Sequence, residues 1–217
     1  MATLLHIDSS LNGDQSHSRR VTAAFRAAWL SEHPEGTVVY RDLAAEPLPH
    51  LTAPAFYAGF SDPAEHTAEQ QAAYALRGEL LAEAEQADAL LIGAPLYNYT
   101  VASSLKSWLD HVIAVGRTTG TDAPTLAGKP ATVVTSRGGS YAPGTPNEGM
   151  DHLQPYLEMV LGKILGLETD FILPELTLAP TTPAMAELVP LFESSQQQAL
   201  ADAETKGRTL AKQLTAV

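Results

Sequence analysis

The chain has 217 residues, of which 45% are apolar and 18% charged, enough to bury a full core within one domain. With 13 Lys and Arg against 25 Asp and Glu the formal charge is −12, a field that repels nucleic acid and anionic membranes but leaves room for a small phosphorylated ligand held by local amide dipoles. Cysteine is absent, which removes disulfides, thiolate nucleophiles and cysteine-held metals together.

The opening stretch MATLLHIDSS has no basic leader, and its apolar run is too short for a secretory signal, so the cytoplasm is the expected compartment. No run of about 20 apolar residues occurs, so no membrane partner is expected. Short apolar runs alternate with helical patterns, the signature of a parallel sheet built from βαβ units. Strands are predicted over residues 3–8, 37–41, 87–93, 130–135 and 169–173. Several are continuously apolar, as strands covered on both faces are. Between them, Val21, Phe25, Ala28 and Trp29 form one helical stripe. Residues 42–65, rich in Pro and Ala with scattered aromatics, predict an ordered excursion before a helix over 66–85. Val101, Leu105, Trp108, Leu109 and Val112 form a second stripe. Leu153, Leu157, Val160, Leu161 and Ile164 form a third, stopped by Gly166 in the position a helix C-terminus favours. The Ala- and Gln-rich tail from Met185 predicts a final surface helix. With no internal repeat and no dividing linker, residues 1–217 are expected to form a single domain. Five strands with helices on both faces point to a doubly wound α/β sheet, for which the order 2-1-3-4-5 is one common solution.

In that order, ligands sit beyond the carboxyl ends of strands one and three, where three loops would meet. The first, DSSLNGDQSHSR, carries Ser9, Ser10, Ser16, Ser18 and Gly13 just before a helix. Amides, hydroxyls and the helix dipole there make an anion cradle, and serines in that place also serve simply as N-caps and turn formers. The second loop, PLYNY, offers Tyr97 and Tyr99 as packing for a flat heteroaromatic ligand and Asn98 for its edge; aromatic packing and a turn asparagine account for it equally. The third is Ser136, Arg137, Gly138 and Gly139, where two glycines permit close approach and their amides can donate, or simply make a tight turn. Arg137 could reach solvent or a ligand carbonyl. His17 sits inside the first loop with its ring expected on the surface, and His111 is expected as a partly buried helix residue. The seven histidines lack metal spacing, so no metal is expected. Gly128-Lys129 precedes Pro130 and a strand, not the helix a P-loop requires. A phosphate at one end and a flat polar ring at the other is what these loops together request.

The motifs SS…SHS, RDLAAEPLP, APLYNYTVASSLKSWLD and VVTSRGG resemble those of the FMN-dependent NADH:azoreductase and NAD(P)H:quinone oxidoreductase family, from Thr3 to about Gly166. The resemblance implies a flavodoxin-like fold with the order 2-1-3-4-5 and a homodimer with its site near the subunit boundary. It implies FMN as cofactor, NADH or NADPH as electron donor, and a quinone or azo compound as acceptor from the same flavin face. Ser10, Ser16, His17 and Ser18 would then hold the phosphate and ribityl end; Leu96, Tyr97, Asn98 and Tyr99 would line the isoalloxazine; Ser136, Arg137, Gly138 and Gly139 would close its pyrimidine side. No protein nucleophile or catalytic acid is needed, because the flavin carries the chemistry and Asn98 supports it. One segment departs from the pattern: GRTTGTDAPTLAGKP is shorter than expected and has Thr119 where the family usually carries Phe. That loop normally helps cover the flavin, so the pocket should be more open and favour quinones over azo dyes. The alternative reading is a flavodoxin-type carrier that passes single electrons to a protein partner.

Overall fold

The computed structural model describes residues 1–215; Ala216 and Val217, which close the expected 1–217 unit, lie outside the described residues. Five strands, β1 (Thr3–Asp8), β2 (Thr37–Asp42), β3 (Ala89–Gly93), β4 (Pro130–Val134) and β5 (Glu168–Ile172), form one parallel sheet in the order 2-1-3-4-5. The three inner strands are buried along nearly their whole length, whereas the outer strands β2 and β5 are only partly covered. That is why the inner strands read as unbroken apolar runs. β3 begins two residues later than its apolar run suggests. Ala87 still accommodates the helix before it, and Asp88 is spent bonding the start of β1 through Thr3 N, at 2.7 Å.

The helices are α1 (His17–Glu32), α2 (Ala53–Ala58), α3 (Ala68–Gln86), α4 (Ser103–Val112), α5 (Leu153–Leu157) and α6 (Val189–Thr215). Alternating strand residues divide the core into two faces. Leu5, Ile7, Leu90, Ile92 and Val133 pack with Leu81, Trp108, Leu109, Leu157 and Leu161 of α3, α4 and the α5 region. Leu4, Leu91 and Val134 pack on the opposite face with Val21, Phe25 and Trp29 of α1 and with α6. Each fully buried large side chain contributes about 1.5–3 kcal/mol of transfer free energy. The expected tail helix is more than a surface element. Ala199, Ala203, Gly207 and Ala211 recur at helical spacing and are buried against α1. At Gly207 a side chain would stand 2.6 Å from the Phe25 carbonyl oxygen, so only glycine permits that crossing.

The stripe expected to end at Ile164 holds through Leu161 and then slips. Beyond α5 the chain continues as a π-helix over Glu158–Ile164, where Leu165 N donates to Val160 O at 3.0 Å. The wider turn advances the buried face by one residue, so Leu165 is fully buried while Ile164 is 40% exposed. Gly166 follows with φ +72°, the left-handed closure expected of it.

The excursion between β2 and α3 is ordered by α4. His111, fully buried rather than partly so, donates from Nε2 to Pro49 O at 3.0 Å. Arg77, 3% exposed, donates to Ala55 O at 3.3 Å, His111 O at 3.0 Å and Ile113 O at 2.9 Å. Burial pulls its pKa down, and among the described residues it forms no ion pair. Two of the carbonyls that receive it, His111 O and Ile113 O, lie at the C-terminal end of α4, where the helix dipole is negative, and supply the counter-charge, while Ala55 O lies within α2. Replacing Arg77 with Met should therefore leave three buried carbonyls unpaired and lower the unfolding free energy by about 3 kcal/mol, measurable by urea denaturation.

Candidate active site

The segment after β3 is the pivot of the site. Tyr97 and Thr100 pair backbone to backbone, Tyr97 N to Thr100 O and Thr100 N to Tyr97 O, both at 3.0 Å. The two residues between them, Asn98 (φ 47°) and Tyr99 (φ 67°), both occupy the left-handed region, as a type I′ turn requires. For a bulky residue this conformation costs about 1 kcal/mol or more, so it persists only where its surroundings fix it. Three anchors do so. Leu96 N donates to Ser136 O at 2.9 Å, tying the turn to the loop after β4. Tyr99 O accepts from His152 N at 3.0 Å, tying it to the start of α5. The Tyr97 hydroxyl accepts from Leu11 N at 3.1 Å and lies 3.3 Å from Ser10 Oγ, tying it to the loop after β1. The three loops expected to meet do meet, and Tyr97, Leu96 and Tyr99 join them.

The loop after β1 rests on a buried polar cluster. Gly93 leaves room for Asp8, whose Oδ1 would lie 2.2 Å from a side chain at that position. Burial alone would raise the Asp8 pKa, but His6 Nε2 at 3.2 Å, the Arg19 charge and a hydrogen bond from Thr22 outweigh it and hold the group below its usual value. Tyr40 donates to Asp8 at 3.1 Å, and burial followed by the Asp8 charge pushes its own pKa up to about 12. Arg19 grips Asp42 in a bidentate pair with both contacts at 2.6 Å, and its Nη2 also donates to Ser10 O at 2.8 Å. Ser16 caps α1 by accepting from Arg19 N at 3.2 Å, and its hydroxyl lies 3.1 Å from that of Ser18. The first turn of α1 leaves the amides of His17 and Ser18 without helical acceptors. The His17 ring is not on the surface as expected: it is half-buried, with Nδ1 2.8 Å from Gln196 Oε1 and its edge against Phe192 on α6. What His17 can offer a ligand is its backbone.

The loop after β4 differs from expectation in what occupies its neighbourhood. The Arg137 side chain reaches neither solvent nor the crevice. It is 7% exposed, pairs with Asp151, and donates to Gln154 Oε1 at 2.7 Å and Glu175 Oε1 at 3.2 Å. It braces the loop against α5 and the segment after β5. The two glycines are required, in the first instance, by protein neighbours: a side chain at Gly138 would stand 2.7 Å from Leu178 Cδ1, and one at Gly139 2.7 Å from Asn147 Nδ2. Their carbonyls accept from Leu178 N and Leu176 N, while their amides donate to no acceptor among the described residues. A cavity of about 410 Å³ lies here, lined by Leu96, Asn98, Tyr99, Gly138 and Gly139. Tyr141, Asn147, Leu178 and Met185 complete it; none of these was singled out in the sequence. Tyr141 and Asn147 belong to the Gly- and Pro-rich stretch directly after the glycine pair, a loop signal that could have flagged them. Leu178 and Met185 precede α6 with no periodicity to mark them. A second cavity of about 670 Å³ continues past Asn98 and Tyr97 to Leu11, Lys106 and Tyr156.

Thr119 is not part of this crevice. It bridges to Val115, which lines another cavity with Gly59, Phe60 and Arg77. α4 has ten residues and separates that loop from the Asn98 turn by about 15 Å. Within one chain it therefore does not cover the crevice, contrary to expectation.

The arrangement fits an FMN-like ligand on its own terms. The segment 96–99 is bonded on one side to the loop that leads into α1 and on the other to the loop of Gly138 and Gly139, and each of those loops carries unspent amides. Comparison with known proteins agrees with this topology. The family described as having a flavodoxin-like fold matches residues 2–183, and the chain belongs to it. More narrowly, the chain is 59% identical over 217 residues, 100% of this chain and 98% of the relative, to the FMN-dependent NADH:quinone oxidoreductase of Streptomyces coelicolor. Among solved structures, the azoreductase from Bacillus anthracis str. Sterne superposes with a TM-score of 0.82 at 22% identity, over 96% of this chain and 100% of that one. The FMN-dependent NADH-azoreductase from Bacillus anthracis str. Ames Ancestor in complex with FMN does so with a TM-score of 0.79 at 21% identity, over 97% and 100%. These two likenesses are of fold.

Replacing Asn98 with Ala should leave the fold intact while weakening flavin binding or slowing flavin reduction; unchanged flavin content and turnover would remove Asn98 from the mechanism. Arg19 above all holds the Asp42 carboxyl down to about 2 from its usual 3.8. Its stabilisation is thus complete above about pH 4 and is lost as the pH falls through about 2. Thermal melts between those values should show that loss, and Asp42→Asn should flatten it while lowering stability at neutral pH.

Proposed function

We propose that this chain is an FMN-dependent NADH:quinone oxidoreductase in which residues 1–217 act as one FMN-binding domain. The observation that carries this reading is that the loops after β1 and β4, each with unspent amides, are both hydrogen-bonded to the Asn98 turn, and the end-to-end likeness to a relative of that name supports it. The amides of His17 and Ser18, with the hydroxyls of Ser10, Ser16 and Ser18, hold the phosphate end. Leu96, Tyr97, Asn98 and Tyr99 line the ring, and the amides of Gly138 and Gly139 donate to its pyrimidine edge. FMN, when bound, supplies the two-electron chemistry between nicotinamide and acceptor. The protein seats and orients it. Donors fixed in advance at Gly138 and Gly139, where negative charge develops, are worth about 3 kcal/mol each in a closed site. Arg137, Asp151 and Glu175 keep that loop rigid, so the donors need no rearrangement. The single-electron carrier is not favoured, because the matching relative is named an oxidoreductase.

The acceptor is a quinone, with azo compounds as secondary substrates. The working form is a homodimer with the crevice near the subunit boundary. Since the Thr119 loop lies at the far end of α4 from its own crevice, a second copy is what would bring such a loop over the ring. A solution mass near twice 23.0 kDa would agree, and a monomer would count against it. Among the described residues no helix is long and apolar enough to cross a membrane, and the proposed compartment is the cytoplasm.

The purified protein should be yellow, with an absorbance band near about 450 nm that NADH bleaches in anaerobic titration. Colourless protein that takes up no FMN would end this reading. Benzoquinone or menadione should be reduced with higher kcat/KM than methyl red, and a clear preference for the dye would contradict the open-pocket argument from Thr119.

A further inference from the structure

Tyr97 stands in two places at once. Its backbone closes the strained turn through both bonds to Thr100, and its hydroxyl reaches the loop after β1. Among the described residues, these contacts to Leu11 N and Ser10 Oγ are the only hydrogen bonds between residues 10–18 and residues 94–102. The ring itself packs, partly buried, against the core formed with α3 and α4, so the side chain is a fixed strut and the hydroxyl has little freedom to find other partners. The other two anchors of the turn lead to the β4 loop and α5, away from the loop after β1. Just outside these ranges Ser9 bonds Gly93 O at the end of β3, so among hydrogen bonds this hydroxyl is the direct link from the ligand-side part of the loop to the turn.

Resting on the FMN-binding reading above, we propose that Tyr97 is a positioning residue. Its hydroxyl transmits the seating of a phosphate in the loop after β1 to the left-handed turn that faces the flavin ring. The site's preference for the phosphorylated flavin over its dephosphorylated form thus depends on one phenolic oxygen as well as on the direct phosphate donors. A phosphate clamps Ser10 and Leu11; the clamped loop fixes the Tyr97 hydroxyl; the fixed strut holds Asn98 and Tyr99 in a conformation they would otherwise leave. Riboflavin fills the ring position without ordering the loop, so it gains nothing from the strut.

The test uses Tyr97→Phe, which keeps the ring and removes only the oxygen. The flavin-free full chain and the variant are titrated with FMN and with riboflavin, binding being followed by quenching of flavin fluorescence. The variant should bind FMN about tenfold more weakly, while its riboflavin affinity changes less than twofold. With Ser10→Ala the two losses in FMN affinity should be partly non-additive, since Ser10 Oγ is one of the two groups that the Tyr97 hydroxyl meets. Equal weakening toward both flavins, unchanged FMN affinity or strict additivity would overturn the proposal and leave the FMN reading intact. Failure of the unaltered chain to bind FMN would remove that reading itself. A measurement on the unaltered protein stands should the variant not fold. Hydrogen exchange at the amides of Asn98, Tyr99 and Thr100 should slow more with FMN than with riboflavin, and equal protection would refute the coupling.

Discussion

The crevice depends on a backbone conformation that its own residues do not favour. Asn98 and Tyr99 both carry positive φ, and neither is glycine. A turn of this kind in isolation would relax; here the β4 loop, the start of α5 and the loop after β1 each hold it by a hydrogen bond. The strain is the means by which an amide side chain and an aromatic ring come to stand at the mouth of a cavity instead of folding back on the sheet. Because the anchors come from the connection after β1 and from two places in the connection after β4, the turn depends on both strands that flank β3, and the site is a product of the sheet order.

A second constraint is how an acidic chain spends its few cations. Arg77 and Lys129 are used on carbonyls, Arg77 within α2 and at the end of α4 and Lys129 on Glu85 O and Ala87 O at the end of α3. Arg19 and Arg137 are used on carboxylates directly behind the loops that follow β1 and β4. None of these four lines the cavity at Gly138 and Gly139, whereas Arg19, already paired with Asp42, lines a separate cavity with Gly13 and Ser16. An anionic ligand at the cavity beside Gly138 and Gly139 would accordingly be met by oriented amides, and one at Ser16 by amides with Arg19 and Arg20 close by. That division keeps the donor geometry fixed, and amides cannot be titrated near neutral pH as ionisable side chains can.

The inner strands and the three loops were legible because they follow from short-range pattern: unbroken apolar runs, helical stripes, and Gly, Ser or Asn after a strand. The sheet order was one solution among several by pattern and was singled out by the resemblance to a known family. What escaped were features set by partners distant in sequence. Leu11 and Tyr97 are 86 positions apart, and nothing in either neighbourhood announces the bond. Arg137 looked available because Asp151 and Glu175, which consume it, lie in other segments. His17 turned inward because α6 brings Gln196 and Phe192 against it, a contact between opposite ends of the chain. Ile164 was misplaced for a different reason: a 3.6-residue period was extended through a stretch that does not keep it. Leu178 and Met185 carried no signal at all.

That irregular stretch has a structural role of its own. At one end of the helix, Asp151 accepts the amides of Leu153 and Gln154 and holds Arg137 beside the crevice; at the other, Leu165 is sealed beneath the sheet. These two ends must present particular sides in particular directions, and a uniform helix would be about 100° out of phase for each residue gained or lost. The wide turn acts as a phase adjuster that lets the ligand-side end and the core-side end be oriented independently. Deleting a single residue there would regularise the helix and at the same time rotate its beginning away from the guanidinium it serves.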